Sequence, residues 1–163
     1  MAFKHILYVV DAPLATITLN RPHYKNAQDY LLLDEVDAAM TLAQDDKQVR
    51  VVIVRGSGGN FSSGHDLGTP QAGEYRDSLG AEPGIETYDQ FKKYNLDLLL
   101  RWRNLPKPTV AMVEGYCIYA GWMLAACLDV VFAADSAKFL AGFVEYMSIP
   151  WDIGIRRAKE LCF

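Results

Sequence analysis

Cysteine is scarce in this chain. Cys117, Cys127 and Cys162 are odd in number, sit in apolar stretches and show no C-x-x-C spacing. That pattern argues against a disulfide framework or a cysteine-based zinc site and fits reduced thiols packed as small hydrophobes. Positive charge is thinly spread: no run of Lys or Arg exceeds two residues, and the net charge is −4. The electrostatic footprint of a DNA- or RNA-binding protein is therefore missing. No apolar run approaches the ~18 residues of a membrane span. Met1-Ala2-Phe3-Lys4-His5 lacks the charged-then-apolar layout of a signal peptide. The expectation is a soluble, cytoplasmic protein with neither nucleic acid nor membrane as partner. Histidine is sparse as well. His65 stands beside Asp66, but adjacent residues rarely point at one ion, and His5 and His23 are distant in sequence, so no metal is expected.

What is present suffices for one core. The 163 residues are 51% apolar and 22% charged, ordinary values for a single globular domain. Ile6 to Val10 and Leu14 to Leu19 read as a β-hairpin about Asp11-Ala12-Pro13, with Pro13 kept out of the ladder. From Asp29 to Gln44, Leu32, Leu33, Val36, Ala39, Met40 and Ala43 recur at three and four residues, which predicts an amphipathic helix. Val51 to Val54 and Thr109 to Val113 are β-branched runs, and Val130 to Ala133 reads as another short buried strand. Phe91, Tyr94, Leu98 and Trp102 predict a helix from Thr87 to Arg103, stopped by Pro106 and Pro108. Residues 68–86 are polar and rich in Gly and Pro, which predicts a mobile loop or insertion. Strand and helix alternate, so the expected class is α/β, as one domain over residues 1–163. At the end, Ile153 to Leu161 begins a helical pattern that stops at Cys162-Phe163 without cap or polar tail. A fragment of a longer protein is the expectation.

Two loops leave buried strands with backbone amides placed to stabilise an oxygen that turns negative. One is Gly56-Ser57-Gly58-Gly59-Asn60-Phe61-Ser62-Ser63-Gly64-His65-Asp66-Leu67; the other runs from Glu114 through Gly115, Ala120 and Gly121 to Ala126. Other glycine-loop chemistries fail by residue. A dinucleotide fingerprint needs Gly where Phe61 stands, and a P-loop needs Lys and Ser/Thr where His65 and Asp66 stand. A nucleophile elbow around Ser62 needs Gly at Asn60.

Phe61-Ser62-Ser63-Gly64-His65-Asp66-Leu67 resembles the F-[SA]-[SA]-G-x-D-[LI] segment of the enoyl-CoA hydratase/isomerase family, the crotonase superfamily. Six further matches lie in order: Ile17 to Pro22 with Asn26-Ala27, Lys107 to Ala111, Gly115, Leu124-Ala125, Asp129, and Ala137-Lys138-Phe139. The resemblance implies a crotonase-like (ClpP/crotonase) fold, a repeated β-β-α superhelix, here cut short before the C-terminal helices that cover the acyl pocket and support oligomers. It implies an acyl-CoA thioester as partner, coenzyme A present only as part of the substrate, no separate cofactor, and a homo-oligomer, trimer or hexamer, when full-length. It places the two oxyanion amides on His65 and Ala120, with the helix from Gly121 adding its dipole. Lys25, Ala27, Ser63, Gly64, Asp66 and Leu67 would hold the bent coenzyme A, while Tyr116, Ile118, Phe143 and Ile149 would line the acyl pocket.

The chain departs from the family where hydratases carry two glutamates. Counting from Ala120, those positions hold Met123 and Phe143, neither of which exchanges a proton. Glu145 and Asp152 are the remaining nearby carboxylates. Asp152 is either a helix N-cap or a catalytic acid, and Glu145 is either a solvent-facing residue or a second candidate. The functional expectation is an acyl-CoA lyase, isomerase or thioester hydrolase that stabilises a thioester enolate or oxyanion through two backbone amides. The alternatives are a catalytically silent acyl-CoA binder and an inert truncated product.

Overall fold

The structure is a computed structural model that describes residues 2–80, 84–140, 154, 156 and 157. Its first unit is the expected hairpin, β1 (Ile6–Asp11) and β2 (Leu14–Leu19), in antiparallel register with Ile6 opposite Leu19. Helix α1 (Tyr30–Asp45) follows. Asp29 caps it by accepting a 2.8 Å hydrogen bond from Leu32 N, which satisfies one of the orphan first-turn amides. The buried face of α1 is the predicted stripe of Leu32, Leu33, Val36, Ala39, Met40 and Ala43, joined by Glu35. Glu35 is buried because its carboxylate accepts from the backbone amides of Lys4 and His5, both at 2.7 Å. That bond pair ties the chain's start to α1.

Two layers of strand then build up. β3 (Val51–Gly56), β4 (Thr109–Val113) and β6 (Val130–Ala133) extend the first sheet in the order β1-β2-β3-β4-β6, parallel from β2 onward. β5 (Tyr116–Ile118) and β7 (Lys138–Leu140) form a second, parallel sheet. Isolated bridges Ser62↔Cys117 and Gln28↔His65 prolong that second layer toward α1. Each pass of the chain therefore leaves one strand in the first layer and a short extended stretch in the second, which is the repeated β-β-α layout. Between the layers and α1 lies one cluster that includes Ile17, Leu19, Val52, Val54, Phe61, Ala111 and Leu124.

Two expectations need correction, and a third, the helix from Thr87 to Arg103, is present but not uniform. Residues 70–78, read as loop, form helix α2 (Pro70–Ser78); Thr69 caps it and Pro70 sits in its first turn, where the missing N–H costs nothing. The helix expected from Thr87 to Arg103 runs as α3 (Ile85–Lys92), a π-helical turn (Lys93–Asp97) and α4 (Leu98–Arg103). β6 is a strand but is exposed along its length, with Phe132 65% accessible. It is an outer strand that pairs only with β4 among the described residues. The C-terminal helix expected from Ile153 lies almost wholly outside the described residues.

α4 is locked to α1 by Trp102, which is 1% exposed and donates Nε1–H to Asp37 Oδ1 at 2.9 Å. Trp102→Ala should lower stability by about 3–5 kcal/mol, measured as a shift of the urea unfolding midpoint at unchanged m-value.

Candidate active site

The segment 61–66 is clamped from both sides by backbone. On one side Phe61 N donates to Glu114 O (2.8 Å), Ser62 N to Tyr116 O (2.8 Å), and Ile118 N donates back to Ser62 O (3.0 Å). On the other, Ser63 N donates to Lys25 O (3.0 Å), Gln28 N to Gly64 O (2.8 Å), and Asp66 N to Gln28 O (2.9 Å). Because extended backbone alternates its donors, the bonds that flank His65 turn its own N–H away from Gln28 and toward the turn that precedes α5 (Ala120–Ala126). That turn approaches closely. A Cβ placed on Gly64 (φ 94°) would lie 2.9 Å from Ile118 O, 3.1 Å from Tyr119 Cβ and 3.4 Å from Ala120 N. A Cβ on Gly121 would lie 2.6 Å from Ser62 O. Glycine at both positions is what lets the two loops touch. Ala120 N heads the first turn of α5, where no intrahelical acceptor exists, and no acceptor reaches it among the described residues.

Side chains fix the same junction. Gln28 Nε2 donates to Ser62 Oγ and to Ala120 O, both at 3.2 Å, so one carboxamide spans both loops. Ser62 Oγ donates to Asn26 O (2.8 Å) and accepts from Gly64 N (3.2 Å). Asn26, fully buried, accepts from Arg21 N (2.9 Å) and donates to Ser57 O (2.9 Å) and Asn60 O (2.8 Å). Lys25 and Asn26 both adopt left-handed backbone (φ 49° and 55°), a conformation Asn tolerates better than most residues. Strain also sits at Tyr119, with φ 47° and ψ −115°. A non-glycine residue there costs on the order of 1–3 kcal/mol, held by the packed turn around it. The strained residue is thus the one that precedes the Ala120 amide.

Beneath the junction lies a charge cluster. Arg21, 5% exposed, donates Nη1–H to Ala27 O at 2.6 Å, and its Nη2 is 2.8 Å from Asp66 Oδ2 and 3.4 Å from Asp29 Oδ2. Asp66 also accepts from Thr69 Oγ1 (2.6 Å), Thr69 N (2.9 Å) and Gly68 N (3.2 Å). Burial by itself raises the Asp66 pKa, but the bonds from Thr69, Arg21 and Gly68 outweigh it and bring the carboxyl from 3.8 down to about 2. Asp66 is thus a permanent anion that anchors the loop, not a proton carrier near neutral pH. Burial pushes the Cys117 thiol up to about 12, which leaves it protonated and poorly nucleophilic.

A cavity of about 520 Å³ opens on the His65 side of this junction, bounded by Gln28, His65, Asp66 and Leu67 on one side and by Ala72, Arg76, Phe91 and Asn95 on the other. Helix α2 roofs it. Its Tyr75 hydroxyl donates to Asp34 Oδ2 (2.9 Å), which also accepts from Tyr94 OH (2.6 Å), while Lys93 Nζ donates to Asp34 Oδ1 (2.9 Å). Burial first, and then the Asp34 carboxylate, raise both phenols, Tyr75 to about 12.

Among the expected site residues, His65, Asp66 and Leu67 line the cavity, and Lys25, Ala27, Ser63 and Gly64 flank it on adjoining backbone. Ala120, Tyr116 and Ile118 do not line it. The Tyr116 ring instead meets the Lys25 ammonium at 4.7 Å and the Lys138 ammonium at 5.7 Å, a cation–π arrangement at the loop's outer side. Phe143, Glu145, Ile149 and Asp152 lie outside the described residues. Arg21, Gln28, Thr69 and Asn95 hold parts of the site that the motif reading passed over. Arg21 and Gln28 sit within or beside a quoted motif, and Asn95 is a polar residue on an otherwise apolar helix face, which was the available signal.

Comparison with known proteins fits this geometry. The profile of the enoyl-CoA hydratase/isomerase family matches residues 10–160, and the chain belongs to that family. EchA13 of Mycobacterium tuberculosis, which carries the name of an enoyl-CoA hydratase, is 38% identical over a 182-residue alignment covering 98% of this chain and 57% of its own length. The trans-2-decenoyl-[acyl-carrier-protein] isomerase of Streptococcus mutans is 31% identical, covering 99% of this chain and 62% of its own. Among solved structures, an enoyl-CoA hydratase/isomerase from Xanthobacter autotrophicus Py2 superposes with a TM-score of 0.82 at 34% identity, covering 98% of this chain and 59% of that one. The fold is the crotonase fold, and the chain spans about 57–62% of the length of these relatives. No helix among the described residues is long and apolar enough to cross a membrane.

Two outcomes are expected. Because the Asp66 pKa is depressed in the folded state, its stabilisation is complete above pH 3.8 and is lost as pH falls through about 2. The difference in unfolding free energy between wild type and Asp66→Asn should therefore shrink over that window in urea titrations, while remaining constant from pH 5 to 7. Gly64→Ala places a methyl against backbone at 2.9 Å in left-handed geometry and should cost more than ~1 kcal/mol, read in the same assay.

Proposed function

We propose that the chain forms the thioester-binding half of an acyl-CoA-processing enzyme, in which the N–H groups of His65 and Ala120 stabilise negative charge on the thioester carbonyl oxygen. The observation that carries this reading is the close approach of the two loops, which sets Ala120 N within 3.4 Å of a Cβ position on Gly64 while the bonds around His65 turn its amide toward the same gap. Donors fixed by backbone pairing need no reorganisation as charge develops, and one such donor is worth about 2.7–4 kcal/mol of barrier. Loss of a proton from the α-carbon leaves an enolate whose charge rests on that oxygen; attack at the carbonyl leaves a tetrahedral oxyanion at the same place. Either step uses the same pair of amides. Lys25 and the backbone of Ser63 to Asp66 would hold the coenzyme A portion, and the trimer or hexamer implied by the resemblance belongs to the same proposal.

The acid–base groups are the weaker half. Met123 occupies the first hydratase position, is 2% exposed and exchanges no proton. Of the carboxylates on the cavity wall, Asp66 is locked as an anion by Arg21 and Thr69, and Asp29 Oδ1 is already engaged by Leu32 N and His5 Nδ1. This favours, as a second reading, a family member that binds acyl-CoA without turning it over. Asp152 is the residue that separates the two.

Acetyl-CoA and butyryl-CoA should bind in calorimetric titration while butyrate does not; equal or absent heats for all three would overturn the reading. Crotonyl-CoA hydration should be undetectable, since each positioned acid or base is worth about 10²–10⁴-fold. Any other acyl-CoA turnover should vanish in Asp152→Asn with thioester binding retained, and its persistence would remove Asp152 from the mechanism.

A further inference from the structure

Resting on the thioester-binding reading, we propose that Asn95 is a specificity-determining residue that selects an acyl chain bearing a hydroxyl group over a plain alkyl chain. The buried side of the π-helical turn and α4 is otherwise apolar where it meets the core, through Leu98, Leu99 and Trp102, and Tyr94 stacks on Tyr30 with ring centroids 3.8 Å apart. Asn95 interrupts that face. It is 7% exposed and lines the same cavity as His65 and Leu67. An apolar residue there would bury more favourably, because an amide taken from water needs each of its polar atoms partnered.

Among the described residues, only half of this amide is partnered. Nδ2 donates to Phe91 O at 2.8 Å, which fixes which end of the carboxamide is nitrogen and so aims Oδ1 the other way. No donor among the described residues reaches Oδ1. It is also not a sealed, orphaned atom, since the buried side-chain atoms without a hydrogen-bond partner among the described residues are Asp29 Oδ2 and Ser57 Oγ. The acceptor therefore opens on the cavity. Asn95 sits in the π-helical turn Lys93–Asp97, a local widening that recurs at functional sites, and here two successive buried side chains diverge from it: Tyr94 toward Tyr30 and Asp34, Asn95 toward the cavity. An acceptor with no internal donor rewards a ligand that supplies one, and a hydroxyl on the acyl chain does so. A saturated chain of the same length displaces solvent from Oδ1 and returns nothing.

The test is calorimetric titration of the 163-residue chain with 3-hydroxybutyryl-CoA, 4-hydroxybutyryl-CoA and butyryl-CoA. Wild type should bind at least one hydroxyacyl thioester about tenfold more tightly than butyryl-CoA. Asn95→Leu should erase that ratio while holding or improving butyryl-CoA affinity, which a merely structural role for Asn95 would not produce. Asn95→Ala, which removes the carboxamide without filling the space, is the second variant and should also bring the ratio to about one. A wild-type ratio near one for both hydroxyacyl thioesters, or a tenfold ratio that survives in either variant, overturns the inference and leaves the thioester-binding reading intact. Absence of binding for every thioester overturns both.

Discussion

Backbone pairing of residues 62–66 with Gln28 on one side and with Tyr116 to Ile118 on the other is the constraint on which the rest depends. It brings together pieces of chain that are far apart in sequence, and it does so with donors and acceptors every residue carries. Once those bonds form, the direction of the His65 amide follows from alternation, and the turn before α5 has no room to sit elsewhere. Gly64 and Gly121 are glycine because the neighbouring loop's backbone occupies the space a side chain would need. Gln28, reaching Ser62 and Ala120 together, adds a side-chain clasp over the backbone one.

The Arg21 cluster supports that clamp from beneath. A buried guanidinium between two carboxylates stabilises little by itself, since desolvation offsets much of the attraction. Its value is positional. Arg21 ties the end of the first unit, through Ala27 O and Asp29, to the loop that follows Asp66, and Asp66 in turn orients Thr69, which caps α2. The roof of the cavity is thereby fastened at its start by Thr69 and further along by Tyr75 on Asp34. Removing one member would strand a buried charge, which is why a cluster of modest net stabilisation is costly to break.

The same physics explains which expectations were legible. α1 was readable because its buried stripe repeats at helical spacing and Asp29 is a strong capping residue. The parallel strands β3 and β4 were readable as β-branched runs. α2 was not, because a short, polar helix carries no apolar period; its signals are local, Thr69 followed by Pro70, and were hidden in a Gly- and Pro-rich stretch. The exposure of β6 was equally hidden, since its run of Val and Phe states only that it seeks burial, whereas its place at the outside of the sheet is a matter of topology.

Sequence by itself determined the fold, the family and the place of the two glycine-bearing loops, because those rest on periodicity and on short motifs whose glycines and polar residues stand at fixed spacing. It also put a methionine, which exchanges no proton in any conformation, at the position the resemblance gives to the first hydratase glutamate. Tertiary structure alone decided that Asp66 is a locked anion, that strain falls on Tyr119, that Tyr116 meets two lysines instead of the cavity, and that Asn95 lies on the cavity wall. Each of these depends on contacts between residues distant in the chain, and burial, direction and ionisation are properties of a surrounding, which a linear string of residues does not contain.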